Sequence, residues 1–552
     1  MPTIEISKSD LEALCKKKFD IQELQEILEN NKISLESQEK DVLTLKIEDT
    51  NRADLLSVEG IARQLRGILK KEKGIPIYKI NGSNFVVKVD SRVKKVRPYT
   101  VCAVVKDLKF DNNFIKQIIQ LQEKLTDTFG KKRKEAAIGV YDFDKIKWPI
   151  NYTAYKPESL AFTPLGMVEM LNLRQILEKH EKGQQYGHLL KDKKEYPIFI
   201  DSGKNVLSMP PIINSDYSGK VTEETKNIFI EVSGFNLERI SFILNIITSA
   251  FAERHGKIYS VEIKDKKSFN TPDFKTRKKI ITLKEINSLL GLELKTKQVI
   301  ELLEKLRFNA KQDKEKIIVE IPFNRKDIIH NVDIIEDIAS VYGYKNILPI
   351  EPKIYTVGSI LEETKSNNDL AYSIAGFEFQ EILSFVLSNK KEQLENMNLP
   401  SDKNSEEIIE IQNPVSENYS CLRKSLLPSI MKFFSNNIDK DFPQKIFEIG
   451  RIVLSDPSAE NKTREENHLC LGVSYAKANL TEATQILHAI FKNKKLELKP
   501  REHNSFISGR CAEILLNSKP VGIIGEIHPK VLSNWKLRMP VVALEINLDT
   551  LV

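Results

Sequence analysis

A single hydrophobic core cannot serve all of this chain, because its 552 residues exceed the roughly 250–300 residues at which single cores stop growing. About three to five domains are therefore expected. Hydrophobic residues make up 41% of the chain and charged residues 29%, which is typical of globular rather than disordered or fibrous proteins. The sequence has no apolar run long enough for a membrane helix, and its charged start, MPTIEISKSDLEAL, is not a signal peptide.

The charge and cysteine content restrict the partners and the compartment. The net charge of +7 is a small difference between 84 basic and 77 acidic residues, so it permits a nucleic-acid partner without indicating one. An odd number of distant cysteines with no C-x-x-C pair predicts neither a disulfide framework nor a cysteine zinc site. A reducing, cytoplasmic location is therefore expected for a chain whose five cysteines are Cys15, Cys102, Cys421, Cys470 and Cys511.

Changes in the apolar periodicity divide the chain into four regions and predict an α+β multidomain fold built of mixed α/β modules. Residues 1–85 form a small module with a strand in TIEI, Ser7 as the N-cap of the next helix, and a later strand, turn and helix. Residues 86–270 combine strands such as YTVCAVVKDL and NIFIEVSGFN with an apolar helix, RISFILNIITSAFAERHG.

The second half of the chain contains the other two regions. Residues 271–350 begin with two short amphipathic helices around a glycine turn, which predicts a small domain with winged, DNA-binding-like helices. The segment EETKSNND is polar, and we expect it to be a hinge. Residues 355–552 contain strands such as KIFEIGRIVL, LCLGVSY and VVALEINL, so this region is again expected to be a mixed domain.

Four carboxylates lie close together in NRKDIIHNVDIIEDIASVYGY (324–344): Asp327, Asp333, Glu336 and Asp337. On a helix, Asp333, Glu336 and Asp337 share one face. Such acids repel unless a cation compensates them, and oxygen ligands suit Mg²⁺ or Ca²⁺. The alternative is a helix cap, with Asp333 and Glu336 as a D-x-x-E capping box. The residue pattern alone favours the cap.

A second group of candidate residues lies in FIDSGKNVLSMPPIIN and FIEVSG. Glu231 is flanked by apolar residues on a predicted strand, where it can accept a hydroxyl hydrogen bond or orient water, and Ser208 and Asn214 add donors and acceptors. For a lone acid on a strand, a side chain that points to solvent is the more common arrangement. No Cys/His or Ser/His pair accompanies these residues, so hydrolysis here would proceed by direct attack of water.

The basic run KKRK (131–134) is a candidate phosphate contact. Most runs of this kind are solvated surface, and that alternative is the more common one. Arg63 and Arg66, in RQLRG, are equally compatible with solvent and with a protein partner.

Six motifs occur in one order along the chain, and together they resemble the beta subunits of phenylalanyl-tRNA synthetases of the archaeal and eukaryotic cytosolic type. The resemblance covers essentially the whole chain, although Ala53 stands where the family usually has a proline in NRPDLLS. The length leaves no room for the extra oligonucleotide-binding fold and the anticodon-binding domain of the bacterial type. The motifs are NRADLLSVEGIARQLRG, VLSMPPIIN, NRKDIIHNVDIIEDIASVYGY, SENYSCLRKSLLPSIM, KIFEIGRIV and GIIGEIHPKVL.

This resemblance implies a heterotetramer of two alpha and two beta subunits, a ligase in which the alpha subunit attaches phenylalanine to its tRNA with ATP. Residues 355–552 would keep the antiparallel sheet of a class II synthetase domain without its chemistry. Class II sites need arginines for the ATP phosphates and the adenine, and Arg423 and Arg451 follow neither pattern. This domain is therefore expected to be scaffold and interface.

The resemblance also implies a magnesium ion on the four acids Asp327, Asp333, Glu336 and Asp337. It thereby reverses the preference for a simple helix cap. A cap and a metal ligand can use different oxygens of one carboxylate, so both interpretations are compatible.

An editing site that removes tyrosine from mischarged tRNA is implied for residues 86–270, with Glu231, Ser208 and Asn214 in its pocket. Phenylalanine and tyrosine differ by one hydroxyl, and an apolar pocket rejects an added hydroxyl by only about a hundredfold. Two alternatives stay open: a purely structural subunit whose editing site has decayed, and a free-standing tRNA-binding or trans-editing protein.

Overall fold

The computed structural model describes residues 1–400, 407–492 and 494–551. The chain forms two compact units, Met1–Glu351 and Pro352–Val552. Both combine helices with largely antiparallel sheets, which confirms the predicted α+β multidomain fold class. The finer division into four domains stays a prediction.

The chain begins with an antiparallel sheet whose central strand runs through VLTLKI. The Ser7 hydroxyl accepts a hydrogen bond from the backbone N–H of Asp10, as predicted for an N-cap. The elements are β1 (Thr3–Ser7), α1 (Lys8–Cys15), α2 (Ile21–Glu29), β2 (Ile33–Glu39), β3 (Val42–Ile47) and α3 (Val58–Ile68), and the strand order is β1–β3–β2.

Residues 80–271, all of them described, contain the largest sheet, with eleven strands. Those strands are β4 (Ile80–Asn81), β5 (Val86–Val89), β6 (Tyr99–Lys106), β7 (Ala136–Asp142), β8 (Ile150–Tyr155), β11 (Tyr196–Ile200), β12 (Val206–Met209), β13 (Ile213–Asn214), β14 (Ile228–Gly234), β15 (Lys257–Lys264) and β16 (Ser268–Thr271). The order is β13–β12–β11–β8–β5–β15–β6–β14–β7, while β4 and β16 also pair with β15.

Helices and one small strand pair surround this sheet. They are α4 (Asn112–Asp127), β9 (Ala161–Phe162), β10 (Leu171–Asn172), α5 (Leu173–Lys179), α6 (Glu181–Tyr186), α7 (Asp216–Gly219) and α8 (Leu237–Glu253). The apolar helix α8 packs on β6 and β14, because the many buried residues of RISFILNIITSAF need an apolar surface to cover them.

The remainder of the first unit is a small sheet with three helices. Gly291 ends the first of these helices in the left-handed conformation, with φ of 65°, as expected for a glycine at this position. The elements are β17 (Arg277–Thr282), α9 (Leu283–Leu290), α10 (Thr296–Lys305), β18 (Asn309–Asp313), β19 (Lys316–Ile321) and α11 (Asn331–Tyr342), with strand order β17–β19–β18.

The second unit is built on a sheet of order β20–β23–β24–β28–β27–β26–β25, in which only the β20–β23 pair is parallel among the described residues. The described strands of this unit are β20 (Gln380–Glu381), β21 (Leu387–Ser388), β22 (Cys421–Leu422), β23 (Gln444–Ser455), β24 (Thr463–Ser474), β25 (Leu496–Pro500), β26 (Phe506–Leu516), β27 (Lys519–Ile527) and β28 (Val541–Asn547). Strands β21 and β22 form a separate pair. Its helices are α12 (Glu362–Ala375), α13 (Leu427–Asn436), α14 (Leu480–Ile490) and α15 (Pro529–Asn534).

The prediction that EETKSNND is a hinge is wrong, because this segment forms the first half of α12. The second half of that helix carries Leu370, Ala371 and Ile374, which pack against the core of the second unit. The apolar face downstream therefore stabilises a helix that begins in a polar segment. In the part of the chain that the structure describes, no helix combines the length and the apolar character needed to cross a lipid bilayer.

Candidate functional site

A cavity of about 350 Å³ lies between α4, strands β7, β12 and β14, and the segment that follows β13. This volume is in the range of sites for small ligands, about 300–1,000 Å³. Glu231, Ser208 and Asn214 all contribute to its lining, so the structure brings the three predicted site residues together around one cavity. Most of the remaining wall is apolar and includes Ile118, Ile138, Val140, Ile212 and Val221.

Glu231 is buried, with 2% of its surface exposed. Strand β14 pairs with β6 on one side and β7 on the other, and every one of its seven residues is buried. The outward-facing alternative therefore fails, because β14 is a central strand and α8 covers one of its faces. A carboxyl in such a place needs a partner within the protein or the ligand.

The two carboxyl oxygens of Glu231 have different surroundings. Oε1 accepts a hydrogen bond from the Tyr141 hydroxyl at 3.2 Å, and that hydroxyl also lies 2.7 Å from Ser208 Oγ. Oε2 is buried and has no hydrogen-bond partner. Burial raises the pKa of Glu231 to about 8, against the opposing charge of Arg97. The carboxyl is thus mostly protonated at pH 7, and it can donate one hydrogen bond as well as accept.

Ser208 and Asn214 face each other across a strand pair. They are directly opposed in the β12–β13 register, and the side-chain amide of Asn214 donates to the carbonyl of Val140 at 3.3 Å. The described cavity lining includes no histidine and no cysteine, so it offers no Ser/His or Cys/His pair for nucleophilic catalysis. The polar groups here suit binding and orientation of a water molecule and a substrate.

One arginine of the KKRK run lies in the cavity wall rather than in solvent. The guanidinium of Arg133 donates to the carbonyls of Pro211 and Ile212, at 3.2 and 2.8 Å, and stacks on the ring of Tyr186. Arg133 therefore holds the loop between Ser208 and Asn214 in place. The lysines on both sides of it, Lys131, Lys132 and Lys134, are exposed.

Two of the four predicted metal ligands bind a buried arginine. Asp327 and Asp337 each accept a hydrogen bond from Nη2 of Arg325 at 2.6 Å. Arg325 is only 2% exposed. Burial alone would lower the pKa of its guanidinium, but the two carboxylates hold that pKa above its ordinary value. Asn324, next to it, donates to Asp54 of the N-terminal part of the same unit at 2.9 Å.

The other two acids have separate partners. Asp333 is the third residue of α11 rather than its N-cap, and its Oδ2 accepts from the backbone N–H groups of Ile329 and His330, both at 2.7 Å. The N-cap is His330, three positions before the Asp333 predicted for that role. Asp333 instead caps the helix from its first turn, by accepting hydrogen bonds from the preceding backbone. Glu336 accepts from Lys32 Nζ at 2.6 Å and from the Tyr344 hydroxyl at 2.8 Å.

Within residues 1–400, 407–492 and 494–551, no group of three or more His, Cys, Asp or Glu side chains is arranged to hold a metal ion. The four acids do not fit a magnesium site in this arrangement, because a guanidinium, an ammonium group and helix N–H groups already neutralise or bind them. The protein supplies its own cations at this position.

Three domain families and full-length relatives match this chain. Residues 92–253 match the B3/4 domain, residues 280–344 the tRNA synthetase B5 domain, and residues 347–548 the phenylalanyl tRNA synthetase beta chain CLM domain. The chain is 45% identical to the phenylalanine–tRNA ligase beta subunits of Pyrococcus horikoshii and of Pyrococcus abyssi, and each alignment covers 100% of both chains. The chain belongs to the phenylalanine–tRNA ligase beta-subunit family.

Other members of the beta-subunit family agree with this assignment. The beta subunit of Methanocella arvoryzae is 37% identical, again with 100% of both chains covered. A crystal structure of an N-terminal fragment of the Pyrococcus horikoshii beta subunit superimposes with a TM-score of 0.61 at 46% identity, covering 62% of this chain and 100% of the fragment. The resemblance inferred from the six motifs is confirmed.

Sequence reasoning missed two residues of the cavity region, Tyr141 and the inward-facing Arg133. Tyr141 lies on β7 in the stretch AIGVYDF, and its neighbour Gly139 is opposite Glu231 in the β7–β14 register. The sequence did contain a signal for Tyr141: a glycine, Gly139, stands two positions before it on a buried strand, and glycine in a strand often marks a close approach of another group. For Arg133 no local signal exists, because its partners are about 80 positions away along the chain.

We predict that EDTA leaves the thermal unfolding temperature of the purified chain unchanged, because Arg325 and Lys32 already compensate the acids around α11. An Arg325→Met variant should instead unfold at a clearly lower temperature. It leaves the buried Asp337 and the partly buried Asp327 without their cation, at a cost of about 3–5 kcal/mol. Differential scanning calorimetry with EDTA or with added magnesium measures both effects.

The matched control is Lys326→Met, one position along the chain, because Lys326 pairs with the exposed Glu238 at the surface. Loss of such a pair costs less than about 1 kcal/mol. A fall in the unfolding temperature on chelation, reversed by magnesium, would show that the acids form a metal site after all.

We also predict that Glu231→Gln stabilises the protein increasingly as the pH rises. The pKa of Glu231 is raised from 4.5 to about 8 on folding. Between these values the native state therefore holds a proton that the unfolded state has lost, and this group makes the parent less stable with rising pH. Glutamine does not titrate, so the variant does not lose stability in this way. Its free energy of unfolding should exceed that of the parent by a few kcal/mol at high pH, on the order of 1.4 kcal/mol per pKa unit.

Unfolding temperatures of the two proteins at pH 5, 6, 7 and 8.5 test this prediction. The difference should be smallest at pH 5 and largest at pH 8.5. A difference that stays constant with pH would mean that Glu231 titrates normally in the folded protein.

Proposed function

We propose that this chain is the beta subunit of a cytoplasmic phenylalanine–tRNA ligase, in which it supports an alpha subunit and hydrolyses tRNA mischarged with tyrosine in the Glu231 cavity. The observation that carries the editing part is the buried, unpartnered Oε2 of Glu231 in the wall of a largely apolar cavity. Buried polar atoms are nearly always paired, so this oxygen is the place for a polar group of a ligand.

The chemistry of this cavity suits tyrosine and disfavours phenylalanine. The aromatic ring packs on the apolar wall, and the phenol hydroxyl pairs with Glu231 Oε2. Phenylalanine would leave that oxygen buried without a partner, a penalty of about 1–3 kcal/mol. A site built around a hydroxyl therefore excludes the correct amino acid, and correctly charged tRNA survives.

Hydrolysis in this site uses water directly, since the described lining has no Ser/His or Cys/His pair. Water attacks the carbonyl carbon of the ester that joins tyrosine to the terminal ribose. The ester bond breaks, and the ribose oxygen leaves with a proton, giving free tyrosine and uncharged tRNA. Ser208 and Asn214 orient the substrate and the water, and a neighbouring ribose hydroxyl of the tRNA assists the proton transfer.

An alpha partner is supported by the surface of the second unit. Large apolar side chains there are almost fully exposed, including Tyr355 at 98% and Val357 at 97%. Apolar exposure of this density marks a protein interface. The ligation site is assigned to the alpha subunit because Arg423 is already bound to Glu448 at 2.6 Å and to Ser384 at 2.7 Å. ATP and phenylalanine therefore bind through the partner.

We predict that the chain co-purifies with the alpha subunit as an α2β2 complex after co-expression, and that Val357→Asp reduces the yield of complex at least severalfold. A charge at a buried apolar contact is costly. The matched control is Val168→Asp, at a valine of the first unit that is equally exposed, at 100%. Size-exclusion chromatography with light scattering gives the stoichiometry, and a chain that stays free of alpha subunit contradicts the partner.

We predict that this complex deacylates tyrosyl-tRNA whose tRNA is specific for phenylalanine, and that Glu231→Ala slows this reaction at least tenfold while phenylalanine charging is unchanged. Radiolabelled tyrosyl-tRNA and phenylalanyl-tRNA are the two substrates. Glu224→Gln, at an exposed acid of the same unit, is the control. Clearance by Glu231→Ala at the parent rate would favour a purely structural subunit or a different editing residue.

A further inference from the structure

A fully buried tyrosine lies behind the two polar groups of the cavity. The hydroxyl of Tyr141 is 2.7 Å from Ser208 Oγ and 3.2 Å from Glu231 Oε1, and the residue has no exposed surface. Tyr141 is not one of the described residues that line the cavity. It therefore contacts the residues of the site without contacting what binds there.

The strand leaves space for this hydroxyl at one position. A Cβ atom added at Gly139 would lie 2.1 Å from Tyr141 Oη, so any side chain there displaces the phenol. In the described chain Gly139 is not among the glycines with positive φ, so space rather than backbone conformation accounts for the glycine. Gly139 is also the residue opposite Glu231 between β7 and β14. Gly139 and Tyr141 on β7 and Glu231 on β14 are thus arranged so that the Tyr141 hydroxyl can reach the Glu231 carboxyl.

The ring of Tyr141 is held as firmly as its hydroxyl. It stacks on the ring of Phe229, with ring centres 5.6 Å apart and 30° between planes. Trp148 in turn packs edge-on against the ring of Phe229. Phe229 is two positions before Glu231 on β14 and lies on the same face. Burial also raises the pKa of Tyr141 well above its ordinary value, so the hydroxyl keeps its proton and stays a donor.

This arrangement decides which oxygen of Glu231 is available. A glutamate side chain has three rotatable bonds, and a free carboxyl would turn to satisfy both oxygens with groups of the protein, such as Ser208. The Tyr141 hydroxyl lies within hydrogen-bond distance of both Oε1 and Ser208 Oγ, donating to one and accepting from the other, and so it holds the two groups together. Oε2 is the oxygen left without a partner.

We propose that Tyr141 is a positioning residue of the editing site, which holds Glu231 Oε1 and Ser208 Oγ so that Glu231 Oε2 recognises the phenol hydroxyl of a mischarged tyrosine. This inference rests on the proposed function, because it assigns a substrate to the same cavity. Tyr141 acts on selectivity and not on bond breaking, since it lies behind the cavity wall and is not one of the described lining residues.

The test is Tyr141→Phe in the α2β2 complex, with the deacylation of tyrosyl-tRNA and phenylalanyl-tRNA measured side by side. The ring and its packing remain, so the unfolding temperature should stay close to that of the parent. The ratio of the two kcat/KM values should fall about tenfold, which corresponds to the loss of one hydrogen bond of about 1.4 kcal/mol. Gly139→Ala should reduce the same ratio, because it displaces the same hydroxyl.

A second measurement separates positioning from a general structural role. If Tyr141 acts through Glu231, then Tyr141→Phe has no further effect on selectivity in a Glu231→Ala background. The matched control is Tyr152→Phe, at another fully buried tyrosine of this domain, whose hydroxyl bonds to the carbonyl of Arg97. Its removal should leave the ratio of the two substrates unchanged.

The possible failures are distinguishable. Loss of selectivity with Glu231→Ala but not with Tyr141→Phe overturns the positioning role alone. Full selectivity with Glu231→Ala overturns the proposed function and this inference together. Equal loss with Tyr141→Phe and Tyr152→Phe would show that any buried tyrosine of the domain matters, and it would overturn the specific role of Tyr141.

Discussion

Strand β14 is paired on both sides and buried along its whole length, so every polar group that it carries has to find a partner inside the protein. Most positions of IFIEVSG meet this condition with apolar side chains. Ser233 and Glu231 are the exceptions: the Ser233 hydroxyl accepts a hydrogen bond from Arg97. For Glu231, Tyr141 occupies one oxygen, Gly139 leaves the space for that tyrosine, and the second oxygen faces a cavity. The candidate site is thus a consequence of one carboxyl placed in a strand that is paired on both sides and buried throughout.

The acids of α11 show the other solution to the same problem. There the carboxylates of the buried Asp337 and the partly buried Asp327 are paired with Arg325. Arg325 and Asn324 also connect α11 with the N-terminal part of the unit through hydrogen bonds and charge. The partner of Glu336 is Lys32, 304 positions earlier in the chain. What the sequence presents as a local cluster is a junction between distant segments.

Local periodicity predicted much of this fold. The N-cap at Ser7, the glycine turn at Gly291, the helix α8 and the strand β14 all have signals within a few residues, because backbone hydrogen bonding and amphipathic spacing act over that distance. The hinge predicted in EETKSNND was wrong because the apolar residues that stabilise α12 come later in the chain. At α11, Lys32, the cation beside Glu336, comes from 304 positions earlier in the chain. Arg325 lies within the same motif, but residue type alone does not show that it binds Asp327 and Asp337.

The candidate site was partly predictable for the same reason. Glu231, Ser208 and Asn214 were identified from the family resemblance together with their apolar surroundings, and the structure gathers them around one cavity. Tyr141 and Arg133 were missed, because the groups to which they hydrogen-bond lie about 70–90 positions away in the sequence. Both hold residues of the cavity in position, and such supporting roles depend on long-range contacts that residue type alone does not express.

The two acid environments differ in a way that matters for recognition. An arginine at hydrogen-bond distance, as beside Asp337, occupies a carboxylate and fixes its charge. Glu231 has no arginine at hydrogen-bond distance. The guanidinium of the nearby Arg97 donates instead to the hydroxyl and the carbonyl of Ser233, at 3.1 and 2.7 Å. The proton on Glu231 therefore takes the place of a salt bridge. A neutral carboxyl with one free oxygen can both donate to and accept from a phenol, whereas an ion-paired one would be occupied already. In the proposed editing site, the absence of an ion pair leaves the carboxyl of Glu231 available to recognise one hydroxyl group.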